Sequence, residues 1–455
     1  CFALTQAQQL LQDAGPGRLN HPLLAHVHER YAWILMDQWN VRKASQEFKE
    51  ARNIRFDNYW KSQNDFAQIF VFHNDHGQAM AERYSGDERM ARAQYDLVIG
   101  EIEKALAKVE AEPDHSGRLR FRRDLRERWS NSCERRADCE LYGGAASGAA
   151  VDLKEAARLY AVARDQADDP AVRIAMSCKR SLVLALAGQI AEAQQELGQT
   201  TVTQQVVIGV QEERVRLLRK LAEATLLLKT SDTAAGLTAV RAFLKEFDLD
   251  PNYPDRHRRE TQELQLLAAE LLIAAQLQRG LRAEAVADLA LLDRLIAAFP
   301  YREQMLPYLR RYYDLAVEAV AASDPERAAG YILASRDQRP VSEATLLLFH
   351  FTSGRGLAIL RPSNAAAVCY PLAFGREDIR QAVDGGPPLT LPQELVESVL
   401  RDRDGGRQVV AFWSDAPCWT KAEQAILEQH WPFGNQLDLD QPPEHTAEGV
   451  SVKPR

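Results

Sequence analysis

A helical cadence recurs along most of this chain: an alanine, a bulky apolar residue four places on, and a small or apolar residue three places further. Offsets of four and three put each trio on one face of one helix. Small residues let a neighbouring helix approach closely, so the cadence predicts a mainly α-helical array of packed helix pairs. Its copies are Ala44/Phe48/Ala51, Ala156/Tyr160/Ala163, Ala193/Leu197/Thr200, Ala239/Phe243 and Ala285/Leu289/Leu292, with a weaker copy at Ala93/Leu97/Gly100.

Over residues 20–335 these trios, with Gly188 and Gly280 at expected turns, resemble the tetratricopeptide repeat (TPR) family. The resemblance implies a TPR-like α-solenoid whose concave groove binds a protein or peptide. Successive trios lie about 37 to about 60 residues apart, against about 34 in that family, so longer helices or insertions are expected.

The periodicity changes from helical to extended after Pro340. Residues 345–351, 357–360 and 367–372 read as three strands of a meander, and 393–401 as a short helix. The apolar run at 408–413 predicts a further, buried strand. This region is therefore predicted to be a small α/β segment.

The order of these elements, followed by Pro432-Phe433 and Leu437, resembles the first part of the caspase-like CHAT family. That family carries a His-Gly pair and a nucleophilic cysteine further along, which residues 438–455 do not contain. The predicted organisation is a TPR-like domain at 1–340, a partial CHAT-like segment at 341–440 and a disordered tail at 441–455.

The composition disfavours a membrane-spanning protein, a nucleic-acid-binding protein and a metalloprotein. The net charge is −8, with 46% hydrophobic residues, and no apolar run reaches the roughly 18 to 20 residues of a membrane span. Nucleic-acid binding is disfavoured by the acidic balance. Six scattered cysteines without CxxC spacing predict reduced thiols, no metal site and no cofactor. We expect a cytoplasmic protein; a lipid anchor on Cys1 is the alternative.

Two weak constellations could carry chemistry. His350 and Cys418 each follow an apolar strand and could form a cysteine-hydrolase dyad, although Pro417 would remove an oxyanion-hole donor. Ordinary strand-end packing is the favoured interpretation of both. The histidines at 73 and 76 share helical spacing, but without a third ligand they are interpreted as solvated, like those at 21, 26 and 28.

A basic stretch is the one strong local charge reversal, and it comprises Arg118, Arg120, Arg122, Arg123, Arg126 and Arg128, followed by Arg135 and Arg136. It could dock an acidic partner or RNA. The interleaved Asp124, Glu127 and Glu134 instead favour a salt-bridged, exposed helix.

The preferred functional hypothesis is a binding module that recruits a protein partner through its groove and has no chemistry of its own. The register of the repeats predicts the groove-lining residues Asn40, Asn58, Lys61, Asn64, Lys179, Arg180, Arg216 and Lys220. Two alternatives remain: the sensor portion of a longer TPR-CHAT cysteine peptidase, and a small hydrolase using His350 and Cys418.

Overall fold

The protein is mainly α-helical, with one small sheet near the C-terminal end of the described chain. The computed structural model describes residues 22–62, 65–111, 116–147, 150–200, 210–230, 232–249, 259–299, 305–335, 345–351, 356–362, 365–384, 386–387, 389–404 and 409–413. Cys1, Asn64, Cys418 and the predicted tail lie outside these residues. None of the helices described is long and apolar enough to cross a membrane.

The helices of the first part are long and follow one another with short connections. In chain order they are α1 (Pro22–Asp37), α2 (Val41–Ser62), α3 (Asp65–Tyr84), α4 (Glu88–Glu110), α5 (Ser116–Ser147), α6 (Ala150–Gln166), α7 (Pro170–Leu186) and α8 (Ile190–Gln199). After these come α9 (Val210–Lys229), α10 (Thr233–Leu249), α11 (Arg259–Gln278), α12 (Arg282–Ala297), α13 (Leu306–Val320) and α14 (Pro325–Ala334).

Local sequence sets several of these boundaries. Asp169 accepts a hydrogen bond from the amide of Ala171, and Pro170 then opens α7 in the position where its missing amide costs nothing. Gly188 and Gly280 have φ of +80° and +71° in the turns after α7 and α11, as predicted. Glycine adopts this left-handed conformation without strain, which lets each helix end sharply.

The predicted trios lie in the packed interior. Ala44, Phe48 and Ala51 of α2 are fully buried, and so are the trios of α6 and α12 that begin at Ala156 and Ala285. In α10, Phe243 is buried while Ala239 is half-buried. The cadence thus identified the faces on which most of these helices pack.

The weaker trio at Ala93/Leu97/Gly100 is wrong. Leu97 is 70% exposed, and the buried face of α4 instead carries Ala91, Tyr95 and Val98. Successive residues of an α-helix turn by about 100°, so a shift of two positions moves a trio to nearly the opposite face.

Gly77 lies inside helix α3. A Cβ atom at this position would lie 2.6 Å from Cε1 of Phe48, so the glycine permits the close approach of α2 and α3. Helix α5 also continues through Gly143 and Gly144 and ends at Ser147.

Each helix from α1 to α9 packs against the next, and α3 also contacts α5, while α7 contacts α9. Helix α11 differs from these helices, because side chains on all its faces are buried from Thr261 to Ile273, including several polar ones. A helix buried all round is surrounded by protein. The polar side chains of α11 are therefore buried among neighbouring parts of the chain.

The chain divides into two compact units, residues 1–275 with 291–308, and residues 276–290 with 309–455. The second unit holds a four-stranded sheet of order β3-β2-β1-β4. Its strands are β1 (Thr345–Phe351), β2 (Gly356–Arg361), β3 (Val368–Leu372) and β4 (Val409–Trp413). Helices α15 (Arg376–Val383) and α16 (Gln393–Asp404) lie between β3 and β4.

The predicted meander is confirmed, because β1, β2 and β3 pair antiparallel, with Leu348 opposite Ile359 and Ile359 opposite Cys369. The strand predicted at 408–413 also forms and pairs parallel to β1. Leu395 and Val399 of α16 pack with Phe349 of β1 in the core of this unit. Helix α14 also packs on the sheet, so the helices nearest the predicted boundary at 340 belong to the same compact unit as the strands.

Candidate functional site

Four of the positively charged side chains predicted to line a partner groove, those of Lys179, Arg180, Arg216 and Lys220, pair with carboxylates of the same chain. Arg180 pairs with Glu196, and both Arg216 and Lys220 pair with Glu246. Arg216 also holds Glu213 over 2.6 Å within its own helix. These carboxylates occupy the positions that a partner's carboxylates would need.

The structure describes two of the predicted asparagines, Asn40 and Asn58. Asn40 is exposed in the connection between α1 and α2. Asn58 is partly exposed in α2 and donates to the backbone oxygen of Ile54 over 2.8 Å. Lys61 lies in the last turn of α2.

Lys179 belongs to a buried group of eight charged side chains that we call the ionic cluster. It is built by α3, α5, α7, α9 and α11, all within the first compact unit. Its members are Arg83, Glu134, Arg135, Asp138, Lys179, Arg214, Glu260 and Glu263.

The centre of the ionic cluster is formed by Lys179 and two acids of α5. The ammonium of Lys179 lies 2.7 Å from both Glu134 Oε1 and Asp138 Oδ1. The hydroxyl of Tyr160 donates to the same Asp138 oxygen over 2.7 Å. Asp138 is fully buried and Lys179 is 7% exposed, so this contact is shielded from solvent.

Arg83 links the ionic cluster to α11 from the end of α3. Its guanidinium lies 2.9 Å from Glu263 and 3.9 Å from Asp138, and the side chain is 1% exposed. The guanidinium also stacks over the rings of Tyr84 and Tyr142, 5.0 Å and 4.7 Å from their centroids. A desolvated cation over an aromatic face is attracted by the ring quadrupole, which further fixes this arginine.

Arg135 and Arg214 form the outer edge of the cluster. Arg135 donates to Glu260 Oε1 over 2.6 Å and to Asp138 Oδ2 over 3.2 Å. Arg214 lies 2.5 Å from Glu134 and 3.3 Å from Glu260. The Glu260 side chain is 42% exposed, whereas the two arginine side chains are 15% exposed. Glu260 is therefore the member nearest to solvent.

Two carboxylates of the cluster, Glu134 and Glu260, have pKa values below their usual range. Burial opposes ionisation of Glu134, but the Arg214, Lys179 and Arg135 charges outweigh it and hold the pKa well below its usual range. The same balance, led by Arg214 and Arg135, lowers the pKa of Glu260 to about 2. Burial and the Asp138 charge raise the pKa of Tyr160. Carboxylates that stay ionised, such as Glu134 and Glu260, and a phenol that stays neutral, such as Tyr160, suit electrostatic binding better than proton transfer.

The ionic cluster contains residues that the sequence did not single out, notably Arg83, Asp138 and Glu263. One sequence signal was present: α5 is rich in charges on all its faces, although the flanking helices each have one apolar face. A helix of that kind inside a packed array must pair its charges with neighbours.

The predicted basic stretch divides between solvent and interior. Arg120 and Arg123 are exposed near Asp124, each at 4.0 Å, and Arg126 pairs with Glu110 over 3.1 Å. Arg118 and Arg122 are partly buried on the same helix. Further along, Arg136 contacts Asp96 over 2.8 Å and Glu140, so the stretch has no single basic face.

The five histidines predicted as solvated differ in their surroundings. His26 is exposed as predicted, His28 lies 2.6 Å from Glu47, and His21 lies outside the described residues. His73 lies 3.1 Å from Glu29 and accepts from Arg128 over 2.8 Å, whereas His76 faces Ser132 at 3.2 Å. Burial lowers the pKa of His76 well below its ordinary value, so this ring is neutral. Among the described residues, no group of three His, Cys, Asp or Glu side chains could hold a metal ion.

His350 is the next-to-last residue of β1 and is 1% exposed. Its Nδ1 lies 3.5 Å from a carboxylate oxygen of Asp314 on α13. The structure therefore places an acid beside this ring, and the proposed partner Cys418 lies outside the described residues.

Comparisons with known proteins add no family to this picture. No protein-family model, curated protein or solved structure matches the chain.

Proposed function

We propose that this chain is a protein–protein interaction module, in which a TPR-like helical array recruits a protein or peptide partner. The observation that carries the proposal is the burial of the Ala/bulky/small trios between successively packed helices, with Ala44, Phe48 and Ala51 all fully buried. Arrays of this construction present extended surfaces suited to a partner's chain.

The ion pairs of the predicted groove restrict where the partner binds. Because Arg180, Arg216 and Lys220 already hold carboxylates, Asn40 and Asn58 are the accessible ones among the predicted positions whose side chains the structure describes. Asparagine side chains both donate and accept, and they suit the hydrogen-bonding groups of a peptide backbone.

The test uses the full chain as bait, followed by calorimetric titration with the purified partner that it captures. We expect saturable binding that is weakened at least tenfold in the Asn40→Arg, Asn58→Arg double variant. The control is Arg380→Glu on α15, a substitution in the other compact unit, which leaves binding unchanged. Binding that is lost only in the control variant would contradict the proposal.

A second proposal is that the chain is the sensor portion of a TPR-CHAT cysteine peptidase. It is supported by the order of a β-hairpin, a third antiparallel strand, helices and a parallel strand β4 in the second unit. The test is to sequence the source DNA beyond the codon for Arg455. A continuing frame with a His-Gly pair and a nucleophilic cysteine is the expected result, and a stop codon would count against it.

A further inference from the structure

Glu260 is held by two arginines that are far less exposed than it is. Its two oxygens face different guanidiniums, with Oε1 2.6 Å from Arg135 and Oε2 3.3 Å from Arg214. Both arginines are oriented from behind by further carboxylates, Asp138 and Glu134 respectively. We call Arg135 and Arg214 together the arginine clamp.

The charge balance of the ionic cluster depends on Glu260. Four cations, Arg83, Arg135, Lys179 and Arg214, face four carboxylates. If Glu260 turns away, only the carboxylates of Glu134, Asp138 and Glu263 remain, and 4 − 3 leaves one positive charge. An uncompensated charge in a largely buried site is costly, so the opened clamp attracts an anion.

The position of Glu260 permits this exchange. It is the second residue of α11, while burial of the helix begins at Thr261. The first turn of a helix has amides without intrahelical partners, and its positive dipole end also favours an anion. Since 42% of the Glu260 side chain is already exposed, its place opens directly to solvent when the side chain rotates.

We propose that the arginine clamp is a carboxylate-binding site in which Glu260 is a built-in occupant, and that an acidic side chain of the partner replaces it. The identity of the ligand as a protein segment rests on the proposed function, whereas the clamp itself does not. Two guanidinium groups, each donating a charge-assisted hydrogen bond to one carboxylate oxygen, select this chemistry over a neutral ligand.

The first experiment empties the clamp in the full chain by Glu260→Ala and titrates the protein with glutarate at constant ionic strength. Thermal unfolding is the readout, because a ligand of the folded state raises the midpoint. In the native chain the tethered Glu260 competes at an effective concentration on the order of millimolar or higher. We expect the apparent dissociation constant for glutarate to be at least tenfold lower in Glu260→Ala.

Three controls keep the result specific. The neutral analogue glutaramide is expected to have no effect, and Glu212→Ala, which removes an exposed acid from the first turn of α9, is expected to match the native chain. Adding Arg214→Met to Glu260→Ala is expected to abolish the glutarate effect. If Glu260→Ala fails to fold by circular dichroism, Glu260→Gln keeps a neutral hydrogen-bonding side chain in place and is measured instead.

A second arm identifies the source of the carboxylate. Three peptides are compared: Ala-Glu with an amidated C-terminus, Ala-Gln with an amidated C-terminus, and Ala-Gln with a free C-terminal carboxylate. Binding of the Ala-Glu peptide alone supports the proposal; binding only of the free C-terminus or of glutarate overturns the side-chain assignment. An equal response to glutarate in the native, Glu260→Ala and double variants overturns the clamp. A clamp that binds glutarate while the full chain captures no partner refutes the proposed function alone.

Discussion

Lys179 of α7 lies 2.7 Å from Asp138 of α5, although 41 residues separate them in the chain. Both side chains are buried, and the contact joins two helices that are not consecutive in the chain. Such an ion pair costs desolvation to form, but it also leaves a severe penalty if one partner is lost.

Replacing Lys179 with methionine is therefore expected to destabilise the protein by about 3 to 5 kcal/mol, because Glu134 and Asp138 stay buried with less compensation. The matched control is Lys220→Met, whose partner Glu246 is partly exposed, with an expected loss of about 0 to 1 kcal/mol. Guanidinium denaturation measures both. An equal loss of unfolding free energy in the two variants would show that burial does not increase the cost of removing Lys179.

Glu29 predicts a specific acid sensitivity. Burial opposes its ionisation, but His73 and Arg55 outweigh burial and lower its pKa from 4.5 to about 2. A carboxyl with a depressed pKa in the folded state stabilises the protein above its unfolded pKa, and this stability is lost as pH falls towards 2. The contribution is about 2 kcal/mol after allowance for solvent screening.

The measurement compares the unfolding free energy of the native chain and Glu29→Gln at pH 7, 4 and 2.5. The native advantage should be greatest at pH 7 and should shrink at each lower pH. An advantage that stays constant over this range would rule out ionisation of Glu29 as its source.

The cysteines should differ sharply in reactivity. Burial raises the pKa of Cys133 and of Cys178 to about 12, so few thiolates form at neutral pH. Cys369 on β3 is only partly buried. Brief iodoacetamide labelling read by mass spectrometry should modify Cys369 before Cys133 and Cys178, and denaturation should bring these three to similar rates. Native labelling of Cys178 as fast as that of Cys369 would contradict this order.

Gly77→Ala is expected to destabilise the protein by about 1 to 3 kcal/mol, because the new methyl group would lie 2.6 Å from the Phe48 ring. Helix propensity alone predicts the opposite sign, a gain of up to about 1 kcal/mol. Gly100→Ala in α4 is the control, since nothing lies within 4 Å of its added Cβ, and it should stabilise. Thermal unfolding distinguishes the two, and partial rescue by Phe48→Leu would locate the clash.

Local sequence predicted much of the architecture because the responsible interactions are short in range. Ala44, Phe48 and Ala51 share one helical face whatever the rest of the chain does, and residues 345–351 favour a strand through their own apolar and aromatic content. The exception at Ala93 arose because a charged helix offers more than one candidate face, and packing chose the one with Tyr95.

The contacts of the candidate site were not predicted from the sequence. Lys179 was singled out as a residue facing a partner, whereas its position on α7 places it among the acids of α5. Nothing in the local pattern indicates that Arg135 meets Glu260, 125 residues away, or that Arg214 meets Glu134 across 80 residues. The sequence by itself determined which segments are helices and strands and which faces most of them bury, because periodicity is a local property. Only the tertiary structure decided which charges pair, because electrostatic contacts depend on how separate helices are rotated against each other.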